Sequence, residues 1–428
     1  MKFVSLAHAR DVVSFEEALT RGVPADGSLY APVTVPQLTE EQIDRLAGLS
    51  YQEVDRLLLE AWPGDEVPTA DIADIVRAAA TFATPCVKVS DKYILELSHG
   101  PTMAFKDFSA RYLAALLSYF NTKSHRTSTV LVATSGDTGG AVADGFRDMP
   151  GVQVVVLYPK GRVSELQLQQ LRRVASNVHS LEVETDFDGC QALAKLAFAD
   201  TELRQKAHLT SANSISIGSL VSQTLFYARA AAQLGREDTR FVVPCGNLGN
   251  LTSGVMAQQM GVPLCSFLAV NNANDAFYRY SNLGRYRPLK TVHTLSNAMD
   301  IGAPNNMPRL RRLFDDSVRR LRSDIHVARV NDAQTAETMQ QVYAETGYLL
   351  DPHAAVAWRG SEEYPGDGQV DVIVATASPL KFAEEIERAT GLVLDNSAEI
   401  AALAEVPERY SEIPDSFKAL KDFILTTV

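Results

Sequence analysis

The sequence predicts an α/β protein built from parallel sheets with helices on both faces, preceded by a mostly helical N-terminal region. Three observations carry that reading. Short β-rich apolar runs alternate with helix-period segments from Tyr93 onward. Several of those runs are nearly continuously apolar, as strands covered on both faces should be. The 428 residues, 46% hydrophobic and 21% charged, suffice for two or three domains with sizeable cores.

The elements follow in order. Thr39 with Gln42, and Ser50 with Glu53, fit capping boxes ahead of apolar-periodic runs. Pro63-Gly64 then breaks the chain before a third helix over 71–80. Strands are expected at YILEL (93–97), TVLVAT (129–134), VQVVVLYP (152–159), FVVPC (241–245), LCSFLAV (264–270) and DVIVATA (371–377). Helix-period segments such as 164–174 and 220–235 follow most of them. Residues 278–330 are rich in Arg, Pro and Asn with weaker periodicity, and read as an excursion from the sheet scaffold that lines a site.

Charge and cysteine usage narrow the function classes. A formal net charge of −12 argues against a nucleic-acid partner. Cys86, Cys190, Cys245 and Cys265 form no CxxC pair, so zinc and redox-motif readings lack their spacing and buried free thiols are expected. No His, Asp or Glu spacing suggests a metal site. The N-terminal residues lack a secretion signal, and no run reaches the roughly 18 apolar residues of a membrane span. A cytoplasmic protein with no membrane partner is expected.

In parallel α/β folds, ligands sit beyond the carboxyl ends of strands, at helix N-termini. Three loops occupy such places. ATSGDTGG (133–140) offers backbone amides to a carboxylate or phosphate, although an ordinary βα turn with Ser and Thr caps fits equally well. In PCGNLGN (244–250), Gly246 and Gly249 let amides approach an anion. VATASPLKF (374–382) places the Thr376 hydroxyl at a third strand end, with Ser378 as a helix cap before Pro379. Lys106, in LSHGPTMAFKD (97–107), falls at a helix start with Phe108, Tyr112, Leu113, Leu116, Leu117 and Phe120 on one face of that helix. The helix dipole and apolar neighbours both lower an amine's pKa there, favouring the neutral form that attacks an aldehyde. A lysine imine, a glycine-rich phosphate cradle and a hydroxyl at a strand end are together what pyridoxal 5′-phosphate (PLP) requires.

HGPTMAFKD (99–107), TSGDTGGAVA (134–143), LSNAMDIGAPNNMPR (295–309) and DPHAAV (351–356) resemble the threonine synthases, PLP enzymes of the tryptophan-synthase-β-like fold (fold type II). The resemblance covers essentially the whole chain. It implies two parallel-sheet α/β domains with the PLP site in the cleft between them. The implied division is an N-terminal region over 1–92, a large domain over 93–107 and 215–428, and a small domain over 108–214. It also implies conversion of O-phospho-L-homoserine and water to L-threonine and phosphate, by a monomer or homodimer acting on a small amino-acid substrate.

Position by position, the resemblance makes Lys106 the Schiff-base lysine and the base that moves the α and β protons. Gly246, Asn247, Leu248, Gly249 and Asn250 would hold the cofactor phosphate, Thr376 the pyridine nitrogen, and Asp137 would sit near the ring hydroxyl. Ser135 and Thr138 would grip the substrate carboxylate, with Asn213 and Ser214 also at the substrate. An aspartate beside a phenolate oxygen repels it unless a proton is shared.

Two stretches depart from the family pattern. GNLGN has Leu248 and Asn250 where members commonly have Phe and Asp. In SANSISIGSL (211–220), Ser216 and Ser219 stand where the family has Asn and Arg at the substrate's phosphate. Serine cannot replace a bidentate Arg–phosphate contact. Either another basic residue such as Lys160 or Arg162 takes over, or the chain is a threonine-synthase-like paralogue acting on a different β- or γ-substituted amino acid. His99 is balanced between touching substrate and serving as a turn residue, and His353 reads as a structural hydrogen-bonder.

Overall fold

Alternating strand and helix signals sort into three sheets in the computed structural model, which describes residues 1–173, 175–404 and 407–428. The largest sheet has six strands, in the order Ile325–Arg329, Ser266–Asn271, Thr239–Pro244, Val370–Ala375, Lys92–Glu96 and Cys86–Val89. All neighbours run parallel except the last pair, an antiparallel hairpin. The second sheet has five parallel strands: Ser411–Ile413, Val178–Val183, Val152–Pro159, Ser128–Ala133 and Leu209–Thr210. The central strands of both sheets are buried along nearly their whole length, which is why they read as continuous apolar runs.

The N-terminal region carries the expected helices, at Glu40–Asp44, Tyr51–Ala61 and Thr69–Ala79. Both capping boxes form as expected from Thr39/Gln42 and Ser50/Glu53. The region also holds what the reading of a helical segment missed: a three-stranded antiparallel sheet of Val12–Ser14, Lys2–Ser5 and Tyr30–Pro32. These strands are three or four residues long, too short to show alternation.

The helix Lys106–Lys123 differs from its expected amphipathic form. Besides the apolar face named above, Ala110, Ala114, Ala115 and Asn121 are buried, so it is enclosed on most sides. It packs against the helices Thr69–Ala79, Asp137–Gly145 and Ile217–Leu234. Charge is buried here with its partner: the Arg229 guanidinium binds Asp55, whose carboxylate also accepts from the Tyr112 hydroxyl.

The division of the chain needs two corrections. Cys86–Val89, expected in the N-terminal region 1–92, pairs into the large sheet. The stretch 215–428 does not stay with the large sheet. Ser411–Ile413 adds an edge strand to the smaller one, and the helix Phe417–Thr427 sets Leu420 and Ile424 into its core beside Leu181 and Leu193. Complementary apolar surface, not chain order, decides the assignment.

The thiols also differ from a uniformly buried set. All four are free, with Cys190 and Cys245 buried, Cys86 half-buried and Cys265 exposed. Among the described residues, no helix is long and apolar enough to cross a membrane.

Candidate active site

Parallel pairing sets the geometry of the site. The strands ending at Glu96, Pro244 and Ala375 belong to one parallel group, so their carboxyl ends open on the same edge. From the first, the chain runs through a turn to Lys106. Phe105 N–H donates to Thr376 O (2.8 Å) and Leu97 N–H to Ala375 O (3.0 Å), which lashes the lysine's turn to the third strand end. Met103 takes a positive φ of 58° inside this turn. Asp107 stitches the turn closed by accepting from Thr102 N–H (2.7 Å) and the Thr102 hydroxyl (2.6 Å). Burial raises the Asp107 carboxyl to about 6.

Lys106 is the first residue of its helix, and its Nζ lies over the Phe105 ring at 4.7 Å from the centroid. Burial lowers its pKa to about 8, against an opposing pull from Asp137. That is the direction expected from sequence. Asp137 opens the helix Asp137–Gly145 after the strand Ser128–Ala133. In the loop before it, the Thr134 hydroxyl accepts from the amides of Gly136 and Gly139, both at 2.9 Å. Ser135 is exposed and Thr138 half-buried at the free end of that helix.

At the second strand end, the helix Gly249–Gln259 begins directly after Leu248, which holds a left-handed φ of 61°. Such a backbone costs a non-glycine residue about 1–2 kcal/mol, and here the side chain is buried and locked. A Cβ at Gly246 would come within 2.9 Å of Met299 Cα, and one at Gly249 within 3.1 Å of Ser214 Cβ. Asn247 is tied to the 305–306 segment through its carbonyl and side-chain oxygen. Asn250 accepts from the Tyr227 hydroxyl, while its Nδ2 is buried with no partner. A bare helix start, a cradle open only to glycine and an orphaned donor all suit a phosphate oxygen. The residues present therefore fit PLP.

The loop carrying Asn213 and Ser214 joins the two halves. Asn213 Nδ2 donates to Ala133 O (3.3 Å), and Ser214 lies against Gly249. The two serines that depart from the family pattern behave differently from each other. Ser216 is buried with an unpartnered hydroxyl, whereas the Ser219 hydroxyl donates inward to Ala212 O (3.1 Å). A guanidinium does reach this loop, from another element. Arg309, fully buried, donates to Ser214 O (2.9 Å), Ile215 O (2.6 Å), Tyr30 O (2.7 Å) and Asn306 Oδ1 (2.8 Å). With no carboxylate beside it among the described residues, burial lowers its pKa to about 9.

Of the substitute cations weighed from sequence, Lys160 is exposed and paired with Glu412 (2.6 Å) and Glu184 (3.8 Å), and Arg162 is exposed. The cation that the sequence reading passed over is Lys381. Its side chain is fully buried, with Nζ 2.8 Å from Asp137 Oδ1. It carries the same signal as Lys106, a lone lysine between apolar residues just after a strand end. Its neighbour Gln167 was missed too, donating to Asp137 Oδ1 at 2.8 Å. Burial pushes the Asp137 carboxyl upward, and Lys381 with Gln167 more than offsets this, leaving it below its ordinary value.

Three remaining expectations find places. Ser378 caps the turn Pro379–Phe382. His99 binds Glu96 (2.7 Å) as a turn residue. His353 is structural: Nε2 accepts from Ala298 N–H (3.2 Å) and Nδ1 binds Asp351 (2.7 Å), which steadies the turn abutting Gly246.

Residues 79–378 match the family of pyridoxal-phosphate dependent enzymes, the class that this fold and site define. The flanking segments match two further families, "threonine synthase N terminus" over 2–80 and "threonine synthase, C-terminal" over 354–424. The threonine synthase of Serratia marcescens is 40% identical over 99% of each chain. The crystal structure of threonine synthase from Escherichia coli superposes with a TM-score of 0.91 at 39% identity, covering both chains completely. That of PLP-bound threonine synthase from Brucella melitensis gives 0.92 at 34% identity, over 99% of each. The chain belongs to the threonine synthase family, within the fold type II PLP enzymes.

Proposed function

We propose that this chain is a PLP-dependent lyase of the threonine synthase type, converting O-phospho-L-homoserine and water to L-threonine and phosphate by γ-elimination and β-addition. One observation carries the assignment of roles: a desolvated lysine at a helix start shares its sheet edge with a glycine cradle built for a phosphate. The cofactor supplies an electron sink that lets protons leave the substrate's α and β carbons. Lys106 Nζ holds the cofactor, and moves those protons because its affinity for a proton is set near neutrality. Gly246 to Asn250 hold the cofactor phosphate, Thr376 the ring nitrogen and Asp137 the ring hydroxyl. Ser135, Thr138, Asn213 and Ser214 orient the substrate at the neighbouring loops.

The full-length likeness to threonine synthases supports phosphate as the leaving group over the paralogue reading. Position 219 points into the core, and Arg309 brings positive charge behind the 214–215 loop. The reading also places the enzyme in the cytoplasm, as a monomer or homodimer acting on a free amino acid.

The test offers O-phosphohomoserine to the purified enzyme and follows threonine and phosphate together. Equal release of both is expected, with a visible absorbance band that borohydride removes. Lys106→Ala should lose the band and lower turnover by about 10³-fold or more. A band without phosphate release would overturn the substrate, and no band would overturn the cofactor.

A further inference from the structure

Asp137 faces two amines, and the choice between them matters. An ionised carboxylate beside a lysine raises the lysine's pKa, by 1–3 when the two are within about 4–6 Å. Paired with Lys106, Asp137 would hold that amine charged and unreactive. The fold gives the carboxylate a different partner. Lys381 Nζ donates to Thr102 O (2.8 Å) and Gln170 Oε1 (3.3 Å) and forms an ion pair with Asp137 Oδ1 (2.8 Å). Its side chain is wholly enclosed, whereas that of Asp137 keeps 18% exposure. Oδ1 is further occupied by Gln167 Nε2, and Oδ2 has no partner among the described residues. One oxygen is thus committed to Lys381, and the other is left without a partner on a side chain that keeps partial exposure.

We propose that Lys381 is a positioning residue for the reaction: as the buried counter-ion of Asp137 it withholds that carboxylate from Lys106 and presents the free Oδ2 to the cofactor's ring hydroxyl. The inference rests on the PLP reading above. It also removes the repulsion expected between an aspartate and a phenolate oxygen, because the pair Asp137–Lys381 is neutral as a unit. Lys381 is tied to the catalytic turn as well. The Thr102 carbonyl that it grips belongs to the residue whose amide and hydroxyl bind Asp107, next to Lys106. One ammonium therefore fixes both sides of the reactive amine.

The readout is the pH midpoint at which the holoenzyme's visible absorbance changes. The charged and titratable groups around it are Asp137, Lys381, Asp107, Asp144 and His353. Lys381→Met removes the positive charge and leaves Asp137 facing Lys106, so the midpoint should move upward by about one pH unit or more. Lys381→Arg keeps the charge and should return the midpoint to near the parent value. Lys381→Gln, which retains a donor for the Thr102 carbonyl, gives the same reading if the methionine variant does not fold. In Lys381→Met with Asp137→Asn the carboxylate is gone too, and the upward movement should disappear. A folded Lys381→Met or Lys381→Gln holoenzyme with an unmoved midpoint would overturn the proposal. Its failure is separable from failure of the assigned reaction: the midpoint is read without substrate, and phosphate release is read in the parent enzyme.

Discussion

Arg229 and Arg309 are both enclosed guanidiniums, one among helices of the core and one behind the cleft. Arg229 meets a carboxylate on both arms of its fork, and Asp55 more than offsets the effect of burial, so its pKa stays above the ordinary value. Arg309 meets only carbonyl and amide oxygens, and its pKa falls to about 9. The first arrangement joins the helices Tyr51–Ala61, Lys106–Lys123 and Ile217–Leu234 into one core. The second leaves positive charge behind the 214–215 loop. Charge cancelled by Asp55 ties the three helices together, whereas Arg309 keeps its charge with no carboxylate beside it among the described residues. Lys106 resembles Arg309 in that burial outweighs any nearby carboxylate, so its pKa also falls.

That contrast can be broken by experiment. Asp55→Ala strands a buried guanidinium and should cost about 3–5 kcal/mol of unfolding free energy in a denaturant titration, with KM unchanged in the folded fraction. A cost below about 1 kcal/mol would put Arg229 in the same class as Arg309. Apoenzyme should take up PLP at a rate that rises with pH to a midpoint near 8, because only the neutral Lys106 amine attacks. A midpoint near the ordinary lysine value would show that the amine is not desolvated. Arg309→Met takes the guanidinium donors from the carbonyls of Tyr30 and Ile215, although Ser214 O keeps Asn306 Nδ2. It should cost about 2 kcal/mol, while raising KM more than it lowers kcat. Equal effects on KM and kcat would speak against a substrate role for the 213–215 loop that the arginine braces. Ser50→Ala, which uncaps the helix that carries Asp55, should cost only about 1 kcal/mol and leave kinetics untouched.

The same contrast separates what was legible in the sequence from what was not. Local signals were readable: the capping boxes at Thr39 and Ser50, the apolar strands, and Lys106 among apolar neighbours at a helix start. Each depends on residues within a few positions of one another. Lys381 and Asp137 lie far apart in the chain, and nothing local to either says that they meet. Arg309 sat inside a recognised motif, yet its contacts with Tyr30 and the 214–215 loop follow only from the tertiary packing. Val178–Val183 reads VHSLEV, whose mixed polarity hid a strand beside the sheet's edge. The departure at Ser219 was legible as a serine where the family has an arginine, but that its hydroxyl turns inward to Ala212 O follows only from the packing.

The strand Ser411–Ile413 has a consequence for how the molecule is made. It covers the flank of Val178–Val183, which would otherwise end the smaller sheet with unpaired amides and carbonyls. A ribosome delivers Val178–Val183 long before Ser411 emerges, so that flank stays open through most of translation. The nascent protein therefore passes through a stage with a sticky, unfinished border, at which chaperone engagement or pairing between neighbouring chains competes with completion.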